Sequence, residues 1–154
     1  MLEIKIRKAL KKDNIVIFNW FNDPENLKYK ILTKSKISLS QHNLWYQDIL
    51  QNNNNHLWII ENKKKLLGQI RLEYMKEKEY LIDIYVIKEF RGSNVASNAM
   101  LKVENKLSNG TIIFSKVKRN NFISLKFFKK NKYRLYSQNK EIWFLKKTIY
   151  EKCQ

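Results

Sequence analysis

The chain has 154 residues, of which 44% are hydrophobic and 13% aromatic, enough for a packed core and incompatible with a disordered polymer. Its formal net charge of +17 points toward polyanions, but the lysines are scattered and the sequence is rich in Lys, Asn and Ile throughout, so nucleic acid is not an expected partner. No apolar run approaches the roughly 18 residues of a membrane span, and the single Cys153 excludes a disulfide framework or a cysteine-based metal site.

From the N-terminus, Leu2–Ala9 alternates like a strand, and Met1–Arg7 lacks a signal-peptide core, so a cytoplasmic location is expected. Asp13 is placed to cap a helix that runs to Phe21 and stops near Pro24. A short helix or irregular segment follows to Thr33. Ser40 is placed to cap a helix over Gln41–Leu50, with Leu44, Trp45 and Ile49 on its buried side. The run Asn52–Asn55 reads as a loop. Strands are expected at His56–Glu61, Lys65–Tyr74 and Glu79–Val86, with Met75–Lys78 as a hairpin turn. Gly68 lies inside the second of these strands, where glycine costs stability unless something requires it. Room for a substrate or acyl arm and a simple bulge are equally good reasons.

The next segment is the most informative. Val86-Ile87-Lys88-Glu89-Phe90-Arg91-Gly92-Ser93-Asn94-Val95-Ala96 leads from a strand through a basic turn into a helix, Asn94–Leu107. That helix has Val95, Ala99, Met100, Val103 and Leu107 on one face and Gly110 as its exit. Free N–H groups at such a turn, together with the helix dipole, form a phosphate-binding device. A strand at Thr111–Val117 follows, then Asn121, which can cap a helix over Phe122–Lys130 with an apolar face of Ile123, Phe127 and Phe128. Two closing strands, Tyr133–Ser137 and Glu141–Ile149, flank a turn at Gln138–Lys140. No repeat or linker is visible, so residues 1–154 read as a single domain with the order β-αα-βββ-α-β-α-ββ.

Two motifs in this order resemble the GNAT acetyltransferase superfamily. Its acetyl-CoA loop, Arg/Gln-x-x-Gly-x-Gly/Ala, is matched by Arg91-Gly92-Ser93-Asn94-Val95-Ala96, and its later Asn-x-x-Ser/Ala pattern by Asn121-Phe122-Ile123-Ser124. Three positions depart from the pattern. Asn94 replaces the usual Gly, and Asn is the non-Gly residue that best tolerates a left-handed backbone. Lys132 replaces the Gly before the closing aromatic, and Phe128 stands where many members carry a thiolate-protonating Tyr. The resemblance implies an α/β (α+β) fold with a mixed, mostly antiparallel central sheet of about seven strands flanked by helices. It also implies acetyl-CoA as the acetyl donor, held by Ile84, Val86, Arg91, Gly92, Ser93, Asn94, Val95, Ala96, Asn121, Ser124 and Phe128. No metal is expected.

The N-terminal third is similar to one branch of this superfamily. Phe18-Asn19-Trp20-Phe21-Asn22-Asp23-Pro24-Glu25, followed by Ile37-Ser38-Leu39-Ser40-Gln41-His42-Asn43-Leu44-Trp45, matches its Trp-x-Asn-Asp and Ile-Ser-x-x-x-His-x-x-Trp segments, although Phe21 stands where an Arg is common. That branch includes the UDP-amino-sugar N-acetyltransferase of pseudaminic-acid synthesis. It implies a nucleotide-linked amino sugar as substrate, with Trp20, Asn22, His42, Trp45 and Arg71 as binding residues. No membrane partner is expected, and a homodimer is left open. Two alternatives remain: an acetyltransferase for protein N-termini or ribosomal proteins, and a non-catalytic fold of this kind that binds an acyl-CoA or a polyanion.

Acetyl transfer to an amine needs an oxyanion-stabilising N–H, here expected near Val86, and a route for the amine's proton. Three residues are candidate bases. His42 has a suitable side chain but also fits a helix-packing role. Asp83, in an otherwise apolar strand, is either a base or the partner of a neighbouring Arg or Lys. Glu73 on the adjacent strand is the third. Tyr85, Tyr136 and solvent are open as the acid. Trp20, Trp45 and Trp58 are candidates to stack on a base or sugar ring but equally read as core, as does Trp143.

Overall fold

The computed structural model describes residues 2–31, 35–63 and 65–150, so the readings at Met1, Thr33 and Cys153 lie outside the described residues. Seven strands form one sheet in the order β1-β2-β3-β4-β5-β7-β6: β1 Lys5–Lys8, β2 His56–Asn62, β3 Lys65–Lys76, β4 Glu79–Val86, β5 Ile112–Lys118, β6 Arg134–Gln138 and β7 Ile142–Thr148. Every neighbouring pair is antiparallel except β4 and β5. Among the described residues five α-helices flank it: α1 Asn14–Phe21, α2 Pro24–Lys28, α3 Leu39–Gln51, α4 Val95–Glu104 and α5 Phe122–Lys130. The mixed, mostly antiparallel α/β architecture read from the sequence is the one observed.

Strand alternation sorts the core into two layers. Trp58, Ile60, Ile70, Leu72, Ile82 and Val86 pack with Val95, Ala99, Met100 and Val103 of α4 and Phe128 of α5. On the other face Leu57, Ile59 and Tyr85 pack with Ile17, Trp20 and Phe21 of α1 and Tyr46 and Ile49 of α3. Gln69, Arg71, Asp83 and Tyr85 share this second face, since Arg71 pairs with Asp83 and Gln69 with Tyr85.

Several local expectations need correction. Asp13 does not cap α1 with its side chain; it binds the Arg7 guanidinium and the Leu10 N–H, and a 3-10 turn over Lys11–Asp13 starts the helix. Pro24 opens α2 at its first turn behind the Asp23 cap, where its missing N–H costs nothing. α3 is capped by Ser38, whose hydroxyl accepts from the Gln41 N–H while the Gln41 side chain accepts from the Ser38 N–H. Its buried face is His42, Tyr46 and Ile49, which pack on α1 and the sheet, and Leu44 is 71% exposed. α4 ends at Glu104, so Gly110 (φ +85°) serves the turn before β5 rather than the helix exit. On α5, Asn121 caps as expected by accepting from the Ser124 N–H, but Ile123 is 83% exposed and Phe128 carries the burial. None of the described helices is long and apolar enough to cross a membrane.

Candidate active site

The site grows out of a defect in the sheet. β4 and β5 pair only over Glu79–Leu81 with Ile112–Phe114; beyond that, β5 pairs with β7 alone. The strands therefore part next to Ile82–Val86. The Ile87 N–H donates to the Leu67 carbonyl, so by antiparallel alternation Asp83 and Tyr85 turn their backbone polar groups to β3. Those of Ile84 and Val86 then face the gap. A cavity of about 100 Å³ lies there, walled by Ile82, Asp83 and Ile84 on one side and Ser115, Val117 and Phe128 on the other, with Lys30 among its lining. Asn121 and Ser124 line it too, Asn121 already committed to capping α5.

β4 is held close to β3 beside this gap. A Cβ on Gly68 would lie 2.0 Å from the Tyr85 carbonyl oxygen. The β2–β3 register slips at the same place, between Ile60 and Glu61. Gly68 therefore serves a bulge and a close approach together.

At the end of β4 the chain makes a 3-10 turn, Lys88–Phe90, and enters α4 through Gly92 (φ +78°) and Asn94 (φ 63°, ψ 11°). Asn94 thus holds the left-handed conformation that its replacement of glycine demands. Its side chain does not cap the helix; it accepts from Lys130 Nζ at 2.9 Å. The first N–H groups of α4, at the turn expected to hold phosphate, are left without a side-chain cap. The Arg91 side chain is occupied otherwise. It donates to the Val86 carbonyl (2.7 Å), pairs with Glu25 (2.7 Å) and Asp23 (3.7 Å), and lies over the Tyr85 ring. It braces the turn against β4 and α2.

The three candidate bases have different surroundings. Asp83 accepts from Lys30 Nζ and Gln69 Nε2, each at 2.9 Å. Burial opposes its ionisation, but the Lys30 and Arg71 charges and these hydrogen bonds outweigh it and hold the carboxyl well below the usual range. A carboxylate so stabilised is a poor proton acceptor, and the ion-pair reading of Asp83 fits the structure. His42 is fully buried, ringed by Phe18, Phe21, Trp45 and Tyr46. Its Nε2 donates to the Asn14 carbonyl at 3.1 Å, and burial pushes the imidazole below its ordinary pKa. It packs α3 on α1 and is not presented to a cleft. Glu73 is 55% exposed and sits 3.9 Å from the Arg71 guanidinium. Of the three it is the most exposed, Asp83 being half-buried and His42 fully buried.

The expected acceptor residues are likewise divided. Arg71 and Trp45 come together, with the guanidinium 5.3 Å from the Trp45 ring and 5.6 Å from Phe21. Arg71 Nε is buried without a hydrogen-bond partner, and so is Gln69 Oε1 beside it. Trp20 is buried against Tyr85 in the core, because α1 turns its face to the sheet. Asn22 is occupied: its amide both donates to the Ile37 carbonyl and accepts from the Ile37 N–H, tying the end of α1 to the residue before the Ser38 cap. Trp58 and Trp143 are core. Tyr85 donates to Asp23 at 2.7 Å, burial raises its pKa, and Tyr136 lies on β6, away from the gap. Lys30 and Gln69, both central to the cluster, carried no signal in the sequence, since their partner Asp83 lies 53 and 14 residues away. No cluster of metal-binding side chains occurs among the described residues.

Residues 16–133 match the model of the acetyltransferase (GNAT) family, so the chain belongs to that family. No match was found among curated proteins. Among solved structures it is similar to the spermidine N-acetyltransferase of Vibrio cholerae in complex with CoA and spermine (13% identity, TM-score 0.84, covering 95% of each chain). It is also similar to an N-acetyltransferase from Staphylococcus aureus Mu50 (16% identity, TM-score 0.76, 96% of this chain and 99% of that one). A third likeness is to the ribosomal-protein-alanine N-acetyltransferase of Brucella melitensis (13% identity, TM-score 0.75, 94% and 99%). Identities this low establish a common fold and leave the acceptor open.

Proposed function

We propose that this N-acetyltransferase of the GNAT family moves acetyl from acetyl-CoA to the amine of a nucleotide-linked amino sugar of the kind used in surface glycans. The observation that carries the reading is the parting of β4 and β5 immediately before an uncapped, left-handed turn into α4. An extended thioester arm in the gap sets its carbonyl oxygen against the Ile84 or Val86 N–H, and its pyrophosphate meets the N–H groups of Gly92–Ala96. The amine nitrogen attacks the carbonyl carbon, the C–N bond forms, the oxyanion is held by the backbone N–H, and the C–S bond breaks to release the CoA thiolate. Glu73, or water ordered by it, takes the amine's proton. Phe128, which walls the cavity without a hydroxyl, leaves protonation of the thiolate to solvent.

The acceptor class rests on Arg71. A guanidinium stacked on Trp45 and Phe21, with a buried Nε free to donate, suits a phosphate beside a planar base or sugar ring. A polyamine approaching the same face meets Arg71 and Lys30 as like charges. The test is thioester consumption from acetyl-CoA with UDP- and dTDP-linked amino sugars, spermidine and a peptide with an N-terminal alanine. A nucleotide-linked sugar is expected to give the highest kcat/KM, and Arg71→Ala to raise KM for the sugar but not for acetyl-CoA. Equal or faster turnover of spermidine or the peptide contradicts the assignment.

A further inference from the structure

We propose that Lys30 is an acceptor of the chain's own acetyl group, a self-modification site inside the acceptor end of the β4–β5 gap. The inference rests on the acetyl-CoA reading above. Lys30 follows α2 and reaches back over the sheet, so that its Nζ sits 2.9 Å from Asp83 Oδ1 and 5.3 Å from the centre of the Phe21 ring. Its side chain is only 21% exposed. It lines the same small cavity as Ile84, Ser115 and Phe128, the space in which the thioester carbonyl must lie if Ile84 or Val86 holds its oxygen. An external acceptor has to bring a primary amine to this place. The fold already holds one there.

The other lysines of the gap are placed differently. Lys118 on β5 turns its ammonium to the Lys28 carbonyl at 3.1 Å, and Lys116 is exposed on the rim. Neither is held on a carboxylate of β4. While paired with Asp83, Lys30 is an ammonium and inert. When the pair opens and the nitrogen loses its proton to water, the free amine attacks the thioester carbonyl. The C–N bond forms, the C–S bond breaks, and CoA leaves as the thiolate, which takes a proton from solvent. No further reactant is needed. Reaction within one molecule profits from a high effective concentration, which separates Lys30 from lysines that meet acetyl-CoA by diffusion. The product amide carries no charge, so Asp83 loses the ammonium facing it and keeps the Gln69 hydrogen bond and Arg71 as the facing cation.

The experiment incubates the full chain with acetyl-CoA and no acceptor, then maps acetyl-lysines by peptide mass spectrometry over time. Lys30 is expected to gain acetyl at least about tenfold faster than Lys116, Lys118 and the exposed Lys88. The rate should not depend on protein concentration, and in Lys30→Arg the fast phase should vanish. Labelling of Lys30 at the pace of the exposed lysines, or in proportion to protein concentration, overturns the inference. Melting of the same sample with and without CoA separates the two readings. A CoA-induced rise with Lys30 unlabelled refutes self-acetylation alone, whereas no rise refutes the cofactor assignment beneath it.

Discussion

Gly68→Ala tests how tightly the sheet must be drawn together beside the gap. The new Cβ would stand 2.0 Å from the Tyr85 carbonyl oxygen and 2.9 Å from Val86 Cα. Both are backbone atoms, so no flexible side-chain end can swing away. Relief to 3.0 Å requires β3 and β4 to part by about 1 Å. Overpacking of this kind costs ~1–3 kcal/mol, and backbone atoms place it toward the upper end. At this chain length each kcal/mol lowers Tm by about 2–4 °C, so a fall of roughly 6–12 °C is expected. The same shift displaces the Ile84 and Val86 N–H groups from the thioester carbonyl, and misplacement by ~1 Å can cost on the order of 10² in rate. Thermal unfolding by circular dichroism gives the first quantity, and steady-state turnover of acetyl-CoA gives the second. A variant that melts with the wild type and keeps its kcat/KM refutes the argument that the close approach positions the site.

Three further outcomes follow from particular side chains. Asn94→Val should weaken CoA binding about tenfold, because a β-branched residue resists the left-handed conformation by ~1–2 kcal/mol, whereas Asn94→Gly should bind nearly as well as wild type; equal affinity of the two variants by calorimetry contradicts this. Phe128→Tyr should change kcat by less than tenfold, since the thiolate leaves readily without an acid; a gain in the ~10²–10⁴ range typical of acid–base catalysis would show that the missing hydroxyl limits the rate. His42 is buried with a lowered pKa, so the folded state binds fewer protons than the unfolded chain (pKa ~6.5). Stability from this group is full above about pH 6.5 and is lost as pH falls through the folded value; His56 acts in the same sense, and a flat denaturation midpoint between neutral and mildly acid pH contradicts both.

Much of the fold was legible because its signals are local. The strand–turn–helix at Val86–Ala96, the Asn121 cap and the left-handed Asn94 each depend on neighbours a few residues away, and all are observed. The edges of helices were less legible. Ser38 and Ser40 offer the same hydroxyl, and the choice is made by Gln41 reaching back to the Ser38 N–H; which face is buried is set by packing on α1 and the sheet, which takes His42 inward and leaves Leu44 outward. The site was only half legible for a different reason. Asp83 stood out as a carboxylate in an apolar strand, but its partners come from β3 and from the segment after α2. Arg91 matched a phosphate-loop pattern, yet its side chain is drawn to Glu25, 66 residues away. The parting of β4 and β5 leaves no mark in either strand alone. Tertiary partners decided these roles.

The most direct measurement is CoA binding by titration calorimetry to the wild-type chain and to Gly92→Pro. Gly92 has φ +78°, which proline's fixed φ of about −65° cannot reach, so the turn must rearrange, while no atom within 4 Å of a Cβ there adds a clash. Wild type is predicted to bind CoA and to gain melting temperature from it, and the folded Gly92→Pro chain is predicted to do neither. Undiminished CoA affinity in a folded Gly92→Pro variant would contradict the placement of the cofactor on this turn and, with it, the reading of the neighbouring gap as the site of acetyl transfer.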